Sequence, residues 1–295
     1  MNVGIILKGI GGFYYIKSDN KNDNEIYCCK PRGKFRKEKI SPLVGDKVEF
    51  IKGESDSEGS IEKILPRKNK LTRPAIANID KIFIVCSTVE PSPNTLLIDK
   101  TLAIAQINNI EPILIITKND LKQNDEIVKL YEKVGIKVYS SALNDFKEKE
   151  KILGEIKNSV CAFTGNSGVG KSTFLNEMFP KLALETGDIS KKLGRGRHTT
   201  RHVELFETSP NSYIADTPGF STFDLQKYEV EQKEEIQHGF VEFEKYIEQC
   251  KFNSCTHTCE KACAILEALE KGEIEKSRHE SYISMYDELK GNKQW

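Results

Sequence analysis

Gly165-Asn166-Ser167-Gly168-Val169-Gly170-Lys171-Ser172-Thr173 is the stretch whose reading decides the fold. It fits the pattern G-x-x-x-x-G-K-[ST]. The five residues before it, Val160-Cys161-Ala162-Phe163-Thr164, read as a short buried strand, and 174–178 can continue a helix, which is the context the pattern requires. Glycines there let successive backbone N–H groups turn inward around a polyphosphate, and the helix start adds its positive dipole end. Lys171 can then reach the β- and γ-phosphates, and Ser172 can offer its hydroxyl to Mg2+.

Outward from this loop the pattern alternates strand and helix. Residues 81–86 and 112–117 read as buried strands, and 94–108 and 121–134 as helices, so an α/β sheet with parallel strands is expected. The second of these strands runs into Thr117-Lys118-Asn119-Asp120, which fits [NT]-K-x-D. The Asp120 carboxylate can accept from guanine N1–H and the exocyclic amine together, a pair adenine does not offer, and the Lys118 stem can lie along the base. A further strand at 137–142 ends in Ser-Ala. Downstream of the phosphate loop come the basic segment 194–201, with His198, Thr199 and Thr200, and a strand from Ser212 ending in Asp216-Thr217-Pro218-Gly219. In that D-x-x-G, Asp216 would hold the Mg2+ shell and the Gly219 N–H would sense the γ-phosphate. The next residue, Phe220, cannot orient a water as a Gln would, so unassisted hydrolysis should be slow, with His198, Thr199 and Thr200 as the nearest candidates for catalytic and Mg2+ contacts.

Base-reading residues thus precede phosphate-reading ones. In that order, in the linker Leu71-Thr72-Arg73-Pro74 and in the segment 194–200, the chain resembles the circularly permuted family of ribosome small-subunit-dependent GTPases (RsgA). The resemblance runs over essentially the whole chain. It implies hydrolysis of GTP to GDP and phosphate, with Mg2+, in late maturation of the small (30S) ribosomal subunit, and stimulation by that subunit. Permutation is physically permissible because a sheet needs its strands adjacent in space, not contiguous in sequence. It also leads the D-x-x-G loop straight into the C-terminal segment, which loss of the γ-phosphate is expected to swing.

The rest of the chain accommodates more than one nucleotide domain. With 295 residues, two or three domains are expected, here 1–68, 69–224 and 225–295. Five short alternating runs, 2–8, 13–17, 25–30, 47–52 and 60–65, suggest a small barrel of the OB type. Between the third and fourth, residues 30–39 carry six cations and one aromatic, Phe35, a candidate RNA contact through phosphates and a stacked base.

The formal net charge is zero but unevenly spread. Residues 1–68 hold 14 Lys and Arg against 10 Asp and Glu, whereas 225–295 hold 10 against 15, so nucleic-acid affinity belongs to the front. No apolar run reaches membrane-spanning length, and the start lacks signal-peptide features, so a cytoplasmic protein without membrane contact is expected. A monomer is expected.

At the back, 229–249 reads as a helix with Ile236, Phe240, Phe243 and Ile247 as a core stripe, and 261–269 and 275–289 as closing helices. Between them stand Cys250, Cys255, His257, Cys259 and Cys263, five soft donors in fourteen residues, which point to one structural, tetrahedral Zn2+. Spacing alone would also allow the four cysteines. The family pattern C-x4-C-x-H-x5-C implies Cys250, Cys255, His257 and Cys263. Two other classes compete: a small-molecule phosphotransferase would leave Asp120 and the D-x-x-G without a clear task, and an RNA-binding scaffold would not need Lys171.

Overall fold

The structure is a computed structural model that describes residues 1–53, 57–72, 74–141, 146–180, 182, 203–216 and 233–291. The chain divides into two compact units, one of residues 1–81, 149–163 and 171–221, the other of 82–148, 164–170 and 222–295.

The first unit opens with five strands: β1 (Asn2–Ile10), β2 (Phe13–Ser18), β3 (Ile26–Pro31), β4 (Lys47–Ile51) and β5 (Gly59–Ile64). They run in the order β1-β2-β3-β5-β4, and β4 pairs back onto β1, with Asn2 opposite Phe50 and Ile5 opposite Lys47, so the sheet closes into a barrel. Pairing is antiparallel except between β3 and β5. Alternation puts Ile6, Ile16, Cys29, Val48, Phe50 and Ile61 inside, and burial pushes the Cys29 thiol up to about 11, as befits a small hydrophobe.

The basic stretch after β3 is not a plain loop. It contains a short helix, α1 (Lys34–Lys37), and buries Phe35, at 6% exposure, so the one aromatic expected to stack on a base is a core residue instead. The ring points inward while the cations of the same turn, Lys34, Arg36 and Lys37, stay exposed. Lys30 pairs with Glu58 at 2.6 Å and Arg32 with Glu62 at 2.6 Å.

The expected linker at 67–74 is partly structured, as β6 (Lys70–Thr72) and β7 (Ala75–Ala77) make a hairpin with Leu71 opposite Ile76. Three more strands extend the barrel sheet in the order β11-β13-β12-β1: β11 (Val160–Thr164), β12 (Glu204–Ser209) and β13 (Ser212–Asp216). β11 and β13 are parallel, β12 and β13 form a hairpin, and β12 meets β1 where Lys8 lies opposite Glu204. Ion pairs Lys8–Glu204 and Lys17–Glu207 sit on that seam. Sequence reading missed β12 because its half-polar run, Glu-Leu-Phe-Glu-Thr-Ser, lacks a sustained apolar face.

The second unit carries strands β8 (Lys81–Ser87), β9 (Glu111–Thr117) and β10 (Lys137–Ser141) in the order β10-β9-β8, with β9 and β10 parallel. Helices α2 (Thr95–Ile107) and α3 (Asp125–Lys133) start where Asn94 and Asn124 accept from the N–H of Leu97 and Ile127. Ile84, Ile98, Leu102, Leu114, Ile116 and Tyr131 form the core between these strands and helices. Helix α4 (Phe146–Ile156), which no motif marks, precedes β11, and α5 (Lys171–Met178) follows the phosphate loop.

The C-terminal segment departs from expectation in one place. The helix read over 229–249 is broken into 3-10 turns at Lys233–Gly239 and Val241–Phe243 and a short α6 (Glu244–Ile247). The break falls at a point of tight packing. A Cβ on Gly239 would lie 2.6 Å from the Ala103 Cβ on α2, and Phe240 turns extended so that its ring and that of Phe243 are fully buried, 5.2 Å apart. The closing helices are α7 (Ala264–Glu270) and α8 (Lys276–Gly291). Among the described residues no helix is long and apolar enough to cross a membrane.

Candidate nucleotide and metal sites

The phosphate loop joins the fully buried β11 to the first turn of α5, which holds Lys171, Ser172 and Thr173. Between them, Gly165, Gly168 and Gly170 take φ of +152°, +85° and +90°. A side chain at Gly165 would also collide with the Val85 carbonyl, 2.3 Å from an added Cβ. Asn166 and Gly170 are half-buried, Ser167 and Gly168 are exposed, and Val169 faces inward at 3% exposure.

The Thr117-Lys118-Asn119-Asp120 sequence clasps this loop. Thr117, at the end of β9 and 6% exposed, has its hydroxyl 2.5 Å from the Val169 carbonyl and 3.0 Å from that of Cys86, and its single proton serves one of them at a time. Lys118, at φ +58°, donates from Nζ to the carbonyls of Gly168 at 2.9 Å and Glu90 at 2.7 Å. Thr88 steadies the turn by donating to the Lys118 carbonyl at 2.7 Å. Beyond a half-buried Asn119, Asp120 is exposed on a turn closed by the Leu121 N–H on the Lys118 carbonyl at 3.0 Å. The clasping carbonyls of Glu90, Gly168 and Val169 are backbone groups, invisible to a reading of side-chain motifs.

Asp216 is the last residue of β13. His198, Thr199, Thr200, Gly219 and Phe220 lie outside the described residues, as does Ala142 after β10.

In the C-terminal segment one donor atom from each of Cys250, Cys255, His257 and Cys263 falls within 4.8 Å of the others. The fifth donor, Cys259, is exposed and outside the group. The spacings suit a tetrahedral cation: Cys250 and Cys263 Sγ are 3.9 Å apart, and His257 Nδ1 is 3.4 Å from Cys263 Sγ and 3.6 Å from Cys250 Sγ. Bonds of about 2.3 Å to sulfur and about 2.0 Å to nitrogen at a tetrahedral centre require separations of roughly 3.5 to 3.8 Å. These residues could hold a metal ion.

Burial, with a smaller push from the neighbouring cysteines, holds the Cys255 thiol up at about 12 and raises Cys263, and burial lowers His257, so the imidazole is neutral and a bound cation would be what turns the thiols into thiolates. Backbone N–H groups act the other way, that of His257 lowering Cys255 and those of Leu266 and Ile265 lowering Cys263. The knuckle is braced on two sides. Glu260 accepts from the N–H groups of Thr256, Thr258 and Cys259 at 2.7, 3.0 and 3.2 Å. From α8, His279 donates to the His257 carbonyl at 2.8 Å and Tyr282 to that of Thr256 at 2.9 Å. None of these supports carries a sequence signal.

Comparison with known proteins covers the whole chain. A family model described as RsgA GTPase matches residues 64–226, and one described as RsgA N-terminal domain matches 3–61. A Ruminiclostridium cellulolyticum protein named small ribosomal subunit biogenesis GTPase RsgA is 43% identical over 296 residues, covering 98% of this chain and 94% of its own. One of the same name from Alkaliphilus metalliredigens is 40% identical over 299 residues, covering 100% of both. Among solved structures, that of YloQ, described as a circularly permuted GTPase, superposes with a TM-score of 0.82 at 34% identity, covering 100% of this chain and 97% of its own. That of YjeQ from Thermotoga maritima gives 0.82 at 32%, covering 98% and 99%.

Proposed function

Because the chain belongs to the RsgA GTPase family, we propose that it hydrolyses GTP to GDP and phosphate as a late maturation factor of the small ribosomal subunit, slowly alone and faster on that subunit. One observation carries the reading to the residues: Thr117 and Lys118 grip the phosphate loop at Val169 and Gly168, so a base pocket and a phosphate cradle are held at a fixed separation. A guanine nucleotide spans such a pair.

In this reading Asp120 selects guanine, with Thr117, Lys118 and Asn119 shaping its pocket. Backbone N–H groups of residues 165–170 and the start of α5 take the phosphates, and Lys171 neutralises the β- and γ-oxygens. Ser172, Thr173 and Asp216 would hold Mg2+, which would offset the charge developing on the phosphates, and Gly219 reads the γ-phosphate. His198, Thr199 and Thr200 complete the site once the subunit is bound.

Zn2+ at Cys250, Cys255, His257 and Cys263 is structural, since four protein donors leave no place for water. The barrel meets ribosomal RNA through the cations of 30–39. Lys30 and Arg32 already face Glu58 and Glu62, so Lys34, Arg36, Lys37 and Lys39 carry the larger share. Domains at 1–68, 69–224 and 225–295, a monomeric state and a cytoplasmic site of action belong to the same proposal.

The test is GTP hydrolysis by the purified protein with and without equimolar small subunits, with ATP and large subunits as controls. A basal rate of roughly 10^-4 to 10^-2 per second, rising many-fold only with GTP and small subunits, is expected. Lys171→Ala should abolish it, and Asp120→Ala should erase the preference for GTP over ATP. Equal stimulation by large subunits would refute the assignment of the partner.

A further inference from the structure

The Gln237 side chain lies on the 3-10 turn Lys233–Gly239, the first described element after the D-x-x-G sequence, and reaches the metal-binding group from outside it. Its Oε1 is 2.8 Å from His257 Nε2. An amide oxygen only accepts, so this contact places the imidazole proton on Nε2 and leaves the lone pair on Nδ1. Nδ1 is the nitrogen that faces the sulfurs of Cys263 at 3.4 Å and Cys250 at 3.6 Å. The ring is 1% exposed, so no water competes for Nε2, and its backbone is held at φ +56° while the His257 carbonyl is occupied by His279. The other end of the Gln237 amide, Nε2, lies 3.4 Å from His238 Nε2, consistent with the orientation in which the oxygen faces His257.

We propose that Gln237 is a positioning residue of the metal centre: it fixes the tautomer in which His257 binds a divalent cation through Nδ1, and through it metal binding anchors the 3-10 turn downstream of the D-x-x-G. The proposal rests on the reading of the four-residue group as a metal site. The turn it anchors packs on α2, where Gly239 sits against Ala103, so the bond also joins the metal knuckle to that seat. Outer partners of this type typically change metal affinity by about 10- to 100-fold.

The test uses the full chain and Co2+ and Zn2+ as probes. In the Zn2+-loaded wild type, long-range 1H–15N correlation spectra of His257 should show a protonated Nε2 and a metal-bound Nδ1. Chelation should raise hydrogen exchange across 233–239. Gln237→Leu should weaken Zn2+ binding by about 10- to 100-fold in competition with a chromophoric chelator, with the tetrahedral Co2+ absorption retained. Gln237→Glu, which keeps an acceptor, should stay within a few-fold of wild type, as should Cys259→Ser. Metal bound through Nε2, or wild-type affinity in Gln237→Leu, would overturn the role of Gln237 while leaving the metal site standing. A wild type that binds neither ion would overturn both. The spectrum of the wild type decides the tautomer even if a variant fails to fold.

Discussion

Thr117, at the end of β9, ties the phosphate loop to that strand by reaching the Val169 carbonyl with its hydroxyl. Thr117→Val keeps the shape and removes the donor, leaving buried carbonyls short of one partner. The expected cost is about 1 to 3 kcal/mol, read as a lowered Tm, together with weaker GDP binding because the phosphate loop loses a tether. Unchanged GDP affinity would mean the Lys118 contacts suffice. Asp23, on the barrel, makes a different residue-scale prediction. Hydrogen bonds from Lys52, and to a lesser degree from Tyr27 and the Glu25 N–H, outweigh burial and hold its carboxyl at about 2, against an ordinary 3.8. Because the folded value lies below the unfolded one, the charged form adds stability that is complete above about pH 4 and lost as pH falls through about 2. Wild type should therefore exceed Asp23→Asn in Tm at neutral pH, and the difference should shrink toward zero on acidification. A gap that persists at pH 2 would assign the effect to packing.

Between elements, the seat of the C-terminal segment on α2 depends on a buried cation. Arg278, on α8 and 1% exposed, donates to Asp99 on α2 at 2.7 Å and to Glu242 at 2.7 and 3.1 Å, and stacks its guanidinium 4.5 Å from the Phe240 ring centre. Tyr131 on α3 donates to the same Asp99 oxygen at 2.9 Å. One charge thus joins three helices and the turn around Glu242. Arg278→Met would fill much of the space but strand two buried carboxylates, and the expected loss is about 3 to 5 kcal/mol in denaturant unfolding. Adding Asp99→Asn to that variant should recover part of the loss, since it removes one unpaired charge. The next residues along α8, His279 and Tyr282, hold the metal knuckle, so one helix serves both attachments.

For the whole molecule, the grouping of residues differs from their order in the chain. Strands β8 to β10, residues 164–170 and the C-terminal segment with its Cys/His group belong to one compact unit. The barrel, β11 to β13 and α5 belong to the other, in which β1 continues the sheet at Glu204, the first residue of β12. This bears on the expectation that losing the γ-phosphate swings the C-terminal segment. With Arg278 buried against Asp99, that segment either carries α2 with it or breaks the ion pair. Hydrogen exchange compared between GTP-analogue and GDP forms should therefore change together over 95–107 and 276–291. A change confined to 276–291 would show that the Arg278 clasp opens, and no change across the segment would remove the swing itself.

The sequence by itself determined the α/β class, the barrel, the family and the permuted order, because these are written in local chemistry. A phosphate loop needs glycines at fixed spacing between a strand and a helix, and Gly165, Gly168 and Gly170 adopt the positive φ that only this residue accepts without strain. Barrel strands are written in alternation, and five runs became five closed strands. Tertiary structure alone decided the features that depend on residues far apart in the chain. Phe35 turned inward to 6% exposure although its neighbours in sequence are cations. An apparently continuous helical stripe became 3-10 turns that end at Gly239, where Ala103, more than a hundred residues earlier, leaves no room for a side chain. Five soft donors became four grouped ones because Glu260 and α8 shape the knuckle and leave Cys259 outside. Spacing lists which donors are available, whereas the distances among them are set by backbone turns and packing that no local pattern encodes.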